Sequence, residues 1–197
     1  MTDLSNLGPG LADPSHDAQK LFRAILDATS QPGRIVALAA APTGPGALSR
    51  AATAWFLTLA DRDTPVWLAP EFDQPGVRDY LRFHAGSPFA ASRADAVFAV
   101  LPAGSALSFD GFAIGSDAWP DRSATLLIEV PDLRGGPTTH WRGPGIDGRT
   151  RVAIAGLPED FWHEWMANHG LFPRGVDLVF TAGTELCALP RSIAVEV

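Results

Sequence analysis

The chain contains very little lysine. Of its 15 basic residues, 14 are arginine and only Lys20 is lysine. A P-loop nucleotide site and a pyridoxal Schiff base each require a lysine, so either chemistry would have to use Lys20. Because Lys20 follows Gln19 rather than a glycine, the P-loop motif is excluded.

Cysteine is equally scarce. The single Cys187 excludes a disulfide framework within the chain, and it excludes a cysteine-based zinc site unless a second chain contributes ligands. Cys187 lies between Leu186 and Ala188 in an apolar run, which predicts a buried structural thiol rather than a nucleophile. The sequence also lacks the G-x-S-x-G motif of serine hydrolases.

Long hydrophobic runs and an excess of positive charge are absent as well. No run approaches the ~20 apolar residues of a membrane helix, and the first residues have neither the basic flank nor the apolar core of a signal peptide. The net charge of −7 repels phosphate backbones. We therefore expect a cytoplasmic protein that binds neither membranes nor nucleic acid.

The composition that remains is typical of a globular protein. Hydrophobic residues make up 46% of the 197 residues and charged residues 19%, which is too apolar for a disordered chain. The sequence contains no internal repeat and no low-complexity linker. It therefore predicts a single domain over residues 1–197.

Hydrophobic periodicity predicts helices that alternate with short buried strands. The first helix begins at Asp13-Pro14, and its apolar stripe is predicted to contain Ala18, Leu21, Phe22, Ile25 and Leu26. Further helices are predicted at 48–59, near 77–84 and at 158–167. Strands are predicted at 34–40, 66–69, 96–100, 125–130, 138–142, 150–154, 176–180 and 185–189. This order is typical of a layered α/β domain, in which the later hairpins make the sheet mixed.

Two patterns suggest ligand binding without establishing it. Gly143, Gly145 and Gly148 fit G-x-G-x-x-G, but a strand-like run follows them instead of the required helix, which favours a tight β–β connection over a dinucleotide site. His163 and His169 are six residues apart and project about 240° apart around a helix, so they are not expected to form a metal pair. The sequence assigns no metal ligand and no catalytic residue.

Several segments, in the same order along the chain, resemble one known family. They are 57–68 (LTLADRDTPVWL), 81–84 (LRFH), 143–146 (GPGI) and 172–180 (FPRGVDLVF), followed by 188–191 and 195–197. The resemblance is to the family of the H subunit (PhnH) of the bacterial carbon–phosphorus lyase core complex. It covers nearly the whole chain and is weakest over 86–124.

The resemblance implies a role in the use of phosphonates as a phosphorus source. It implies a non-catalytic subunit of α-D-ribose 1-methylphosphonate 5-triphosphate synthase, without a cofactor, that forms a homodimer and assembles with the G, I and J subunits. It also implies a three-layer α/β/α fold with a mixed sheet, similar to the large domain of pyridoxal-phosphate-dependent transferases but without the cofactor site. The alternative is a phosphate-ester or cofactor-binding enzyme of that fold acting on its own. Because Lys20 is the only lysine, the subunit is favoured.

Three residues of the resembling segments are predicted to form a polar surface for assembly or anion binding. Arg82 and His84 end the third helix, and Arg142 leads into the turn at Gly143. Arginine suits phosphate and carboxylate partners, and loops on a rigid α/β frame commonly host binding. A purely structural role, with His84 capping its helix and Arg82 paired locally, is the open alternative.

Overall fold

The computed structural model describes residues 7–104 and 107–197, and these contain four α-helices and nine β-strands. The helices are α1 (Pro14–Ser30), α2 (Arg50–Leu59), α3 (Pro75–His84) and α4 (Phe161–His169). The strands are β1 (Ile35–Ala37), β2 (Val66–Leu68), β3 (Phe98–Pro102), β4 (Thr125–Glu129), β5 (Thr139–Arg142), β6 (Thr150–Val152), β7 (Asp177–Ala182), β8 (Glu185–Leu189) and β9 (Ala194–Glu196). Short 3-10 turns lie at Arg93–Asp95 and Pro120–Arg122.

The larger sheet is mixed, as the sequence predicts. Its six strands follow the order β1-β8-β7-β4-β3-β2. The run β2, β3, β4 and β7 is parallel, whereas β8 is antiparallel to both β7 and β1. The β7–β8 hairpin introduces the antiparallel strand, so the chain forms an α/β fold with one mixed sheet and flanking helices.

The second hairpin does not join this sheet, contrary to the expectation that both late hairpins would. Instead β5 and β6 pair with β9 in a separate three-stranded antiparallel sheet of order β6-β5-β9. Trp141, Val152 and Val195 of this small sheet are buried in a core shared with the larger one. Burial of these side chains holds the small sheet against the face of the larger sheet.

The two faces of the six-stranded sheet are covered by different layers. On one face, α1, α2 and α3 pack over alternate strand residues such as Val100, Leu127 and Val179. On the other face, α4 and the small sheet pack over the intervening residues, including Leu126 and Phe180. One outer layer is therefore entirely helical, while the other combines a helix with a small sheet.

Helix α1 begins where the sequence predicts but buries less of its apolar stripe than the periodicity suggests. Its start is as predicted: the Asp13 side chain accepts a hydrogen bond from the backbone N–H of His16 at 3.1 Å. Of the expected apolar stripe, Leu21 and Ile25 are buried, whereas Phe22 and Leu26 are 49% and 53% exposed. The helix therefore buries a narrower face than its sequence offers and leaves a pair of large apolar side chains at the surface.

Trp141 lies where the small sheet, α4 and the large sheet meet. Its ring packs against Trp162 of α4 and Phe180 of β7, with centroids 6.1 and 6.4 Å away. Its Nε1–H donates to the Thr139 hydroxyl at 2.9 Å, and that hydroxyl donates to the carbonyl of Val152 at 3.1 Å. This single side chain therefore links three elements that are distant in sequence.

Candidate functional site

Arg82 lies on an exposed cationic surface at the end of α3. Its guanidinium is 5.6 Å from the centre of the Phe89 ring, and Arg78 stacks on the same ring at 4.6 Å. Arg82 is also 3.7 Å from the Asp79 carboxylate, and Arg78 is hydrogen-bonded to Asp73. Two arginines thus share one aromatic ring, an arrangement that offers charge and stacking to a partner.

His84 has a structural contact that the sequence did not reveal. Its ring packs on Tyr80 at 4.4 Å, and its Nε2 is 3.0 Å from the carbonyl oxygen of Gly8. The Tyr80 hydroxyl donates to the carbonyl of Pro9 at 2.8 Å. The helix end therefore holds residues 8–10 against α3. His84 thus contacts the N-terminal segment as well as ending its own helix.

Arg142 is the last residue of strand β5 in the small sheet, not of helix α3. Its guanidinium is 3.4 Å from the Glu196 carboxylate on the neighbouring strand β9, and 65% of its side chain is exposed. The turn that follows is closed by a hydrogen bond from Ile146 N–H to the carbonyl of Gly143. As predicted, residues 143–148 connect two antiparallel strands, β5 and β6.

The structure places Arg142 far from Arg82 and His84. Phe89, beside Arg82, bridges to Val66 at the β2 edge of the large sheet. Gly145, close to Arg142 in sequence, lies against Ser30 immediately before the β1 edge. Five inter-strand spacings of about 4.8 Å separate the two edges, about 24 Å. This spacing places Arg82 and Arg142 near opposite edges of the large sheet, and the binding role of Arg82, His84 and Arg142 stays a prediction.

A half-buried carboxylate, Glu129, lies at the carboxyl end of β4, where the sequence predicted no functional residue. Glu129 accepts a hydrogen bond from the backbone N–H of Ser49 at 2.7 Å, and Ser49 is the N-cap of α2. Partial burial raises the pKa of Glu129 above its ordinary range, against the opposing effect of the hydrogen bond from Ser49. A lone glutamate ending a buried apolar strand was the sequence signal that could have identified it.

Glu129→Gln is expected to stabilise the protein increasingly as the pH rises from about 4 to 7. Because the folded pKa is raised, the neutral carboxyl contributes stability below the unfolded pKa, and that contribution is lost as pH rises through the folded pKa. Glutamine keeps an acceptor for the Ser49 N–H without ionising. Melting temperatures of wild type and variant across this range would test the difference.

Glu185→Gln is the matched control, because Arg134 lowers the pKa of Glu185 through a surface ion pair. Its stabilising contribution is present above the unfolded pKa, so this variant should lose stability as pH rises, by a small amount since the pair is exposed. Parallel melting curves for wild type and Glu129→Gln at every pH would contradict the prediction.

The structure places the two side chains that the sequence identified as candidates for covalent chemistry, Cys187 and Lys20. Cys187 is fully buried in β8, and burial raises the pKa of its thiol to about 12, which keeps it protonated. Lys20 is 57% exposed on α1, 3.8 Å from Asp17. Its side chain lines an open cavity of about 300 Å³ together with Leu38 and Ala40, so it lies at the surface and not in a closed pocket that would hold a cofactor ring.

Glu164 and His169, two polar residues of helix α4, are hydrogen-bonded to nearby loops. The Glu164 carboxylate accepts hydrogen bonds from the hydroxyl of Ser108 and the backbone N–H of Phe109. His169 places its Nδ1 2.8 Å from the carbonyl oxygen of Arg191. These contacts attach α4 to two loops. Within residues 7–104 and 107–197, no three His, Cys, Asp or Glu side chains cluster as metal ligands.

Comparison with known proteins identifies the class to which this α/β chain belongs. Residues 9–196 match the model of a family described as bacterial phosphonate metabolism protein (PhnH). The chain therefore belongs to the PhnH family.

Two curated relatives agree with this assignment. A protein of Rhizobium meliloti (strain 1021) named alpha-D-ribose 1-methylphosphonate 5-triphosphate synthase subunit PhnH is 41% identical over 198 residues, covering 100% of this chain and 99% of the relative. A Stutzerimonas stutzeri protein named putative C-P lyase subunit protein HtxG is 30% identical over 178 residues, covering 88% of this chain and 83% of the relative. The structure adds that no helix among the described residues is long and apolar enough to cross a membrane.

Proposed function

We propose that this chain is a subunit of a carbon–phosphorus lyase complex and is needed for growth on phosphonates as a phosphorus source. The observation that carries the proposal is the 41% identity, along the full length of both chains, to a subunit of the methylphosphonate 5-triphosphate synthase. At this identity and coverage, the two proteins have the same fold and are expected to occupy the same position in the complex. The partners we propose are the G, I and J subunits, in the cytoplasm.

The chain is proposed to act through assembly rather than through catalysis of its own. The residues best suited to covalent chemistry are unsuitably placed: Lys20 is at the surface, and the Cys187 thiol is buried and protonated. We also propose that the chain folds as one domain related to the large domain of pyridoxal-phosphate-dependent transferases, without a Schiff-base lysine near a cofactor ring.

An affinity-tagged copy in a strain lacking the native gene would test the subunit proposal. We expect the tagged chain to restore growth on methylphosphonate and to co-purify with the other three subunits. A Lys20→Arg variant should do both equally well, since arginine keeps the charge but forms no Schiff base. Loss of growth in this variant, or purification of an active phosphate-ester hydrolase free of partners, would favour the independent enzyme instead.

In isolation the chain is proposed to form a symmetric homodimer. Phe22 and Leu26 form an exposed apolar pair on α1 that a second copy could cover. Light scattering of the purified chain should give about twice the 20.9 kDa monomer mass. A monomer mass at micromolar concentration would refute the homodimer without affecting the subunit proposal.

Arg82 and Arg142 are proposed to contribute to two separate contact surfaces of the assembly. Replacing both with alanine should leave the free energy of unfolding within about 1 kcal/mol, because their ion pairs are exposed and Arg78 keeps its stacking on the Phe89 ring that Arg82 leaves. Co-purification of the other subunits should weaken for each single variant and further for the double variant. Arg62→Ala is the control, since Arg62 is 88% exposed and its ion pair, with the neighbouring Asp63, is exposed as well. Normal assembly and growth of the folded double variant would refute this role.

A further inference from the structure

A cavity of about 430 Å³ opens at the carboxyl ends of β2 and β3, on the face of the large sheet that carries α4. Its size falls in the range of about 300–1,000 Å³ that is usual for small-ligand sites. In open α/β sheets, ligands bind outside the carboxyl ends of the parallel strands. Trp67, Leu101 and Leu107 give the cavity apolar walls, and Arg93 and Glu71 are its charged side chains.

Arg93 is held by aromatic rings instead of by a carboxylate. Its guanidinium carbon is 4.9 Å from the centre of the Trp67 ring and 5.0 Å from that of Phe112. No carboxylate among the described residues lies within 4.0 Å of it, although the chain as a whole carries a net charge of −7. A half-buried cation without a counter-ion favours the binding of an anion from solution.

The hydrogen bonds of Arg93 leave part of its fork free. Its Nη1 donates to the carbonyls of Ser108 and Asp110, at 3.3 and 2.9 Å. Its Nε and Nη2 hydrogens have no acceptor among the residues that the structure describes. The Ser108 segment is in turn fixed to α4 through Glu164. The guanidinium is thus pre-oriented, with donors left for two oxygens of one ligand.

We propose that this cavity binds a small phosphonate or phosphate dianion, with the guanidinium of Arg93 as its anion-binding group. Two free donors in a fixed fork match two oxygens of a tetrahedral phosphorus centre. The apolar walls suit an alkyl group on phosphorus, so methylphosphonate should bind about fourfold more tightly than inorganic phosphate, which has no methyl group to bury. The choice of phosphonate rests on the proposed function; the anion site itself rests on Arg93 and the cavity.

Titration of the purified chain with methylphosphonate and, separately, with inorganic phosphate would test the site, by calorimetry and by ³¹P NMR. We expect millimolar or tighter binding of both. Arg93→Gln should weaken it by about tenfold or more, because the charged hydrogen bonds are lost. Arg122→Gln is the matched control: Arg122 stacks on Trp119 at 4.8 Å in the same way but lies outside the cavity, and its loss should leave affinity unchanged.

Glu71→Gln provides a test that does not depend on the folding of the Arg93 variant. Glu71 is exposed at the cavity, so removing its negative charge should tighten anion binding severalfold. Absence of binding by the wild type, or an affinity that either folded variant leaves unchanged, would overturn the proposal. A stronger affinity for phosphate than for methylphosphonate would overturn the alkyl-binding part.

The binding test and the assembly test report on different proposals, so a negative result in one does not affect the other. Binding is measured on the isolated chain, whereas co-purification reports on the other subunits. A chain that assembles and supports growth but binds neither anion refutes this site alone. A chain that binds the anion but neither assembles nor restores growth refutes the proposed function alone.

Discussion

Replacing Trp141 with alanine is expected to lower the free energy of unfolding by about 3–5 kcal/mol. The side chain is fully buried, and its loss removes contacts with Trp162 and Phe180 and leaves a cavity between the small sheet, α4 and the large sheet. It also removes the indole N–H that donates a hydrogen bond to the Thr139 hydroxyl. Since single-domain stabilities are about 5–15 kcal/mol, this loss is a large share of the free energy of unfolding.

Chemical denaturation followed by far-UV circular dichroism measures this effect without relying on tryptophan fluorescence. Trp119→Ala is the control, because Trp119 is 55% exposed and should change stability by less than about 1 kcal/mol. Trp141→Phe should fall between the two, since it keeps an aromatic ring but loses the hydrogen bond. A loss below about 1 kcal/mol in Trp141→Ala would show that the small sheet is not held by this residue.

Gly145→Ala is also expected to destabilise the protein strongly, by roughly 3 kcal/mol or more. Gly145 has φ of +84°, and a Cβ atom there would lie 2.1 Å from the carbonyl oxygen of Ser30. The backbone of the 143–148 turn would have to move away from the end of α1. This explains why a glycine stands at this point of the segment that resembles the family.

Gly148→Ala separates the cost of backbone strain at a positive φ from the cost of a steric clash. Gly148 has a similar φ of +69°, but a Cβ atom there would meet nothing within 4 Å. It should therefore cost only the backbone strain, about 1–2 kcal/mol. Equal melting temperatures for the two alanine variants would mean that the approach to Ser30 is relaxed at little cost, contrary to our expectation.

The sequence predicts those helices and strands that are determined by residues close to one another along the chain. The start of α1 follows from the Asp13 cap and from Pro14, and the parallel core follows from apolar runs between helices. Strand β9 was not predicted, because three residues have too little pattern and become a strand only by pairing with β5. The exposure of Phe22 could not be predicted either. Periodicity gives the direction of a helix's apolar face, but not how much of that face other elements cover.

The cavity residues were missed for a related reason. Arg93 lies in the 86–124 region, where the resemblance to the family is weakest, and the rings that hold it come from Trp67 and Phe112. These three residues meet only because β2 and β3 are neighbours in the sheet. Arg82 and Arg142 were grouped because both lie in segments that resemble the family, and the order of strands separates them.

The edges of both sheets determine how another protein can bind this one. β1 and β2 at the edges of the large sheet, and β6 and β9 at those of the small sheet, are three residues each. The β2 edge is further covered by the bridge from Phe89 to Val66. So short an edge offers few main-chain groups for strand addition, which also limits edge-to-edge aggregation. A protein that binds this chain is therefore expected to recognise side chains on helices and loops, so single substitutions can alter one contact and leave the others intact.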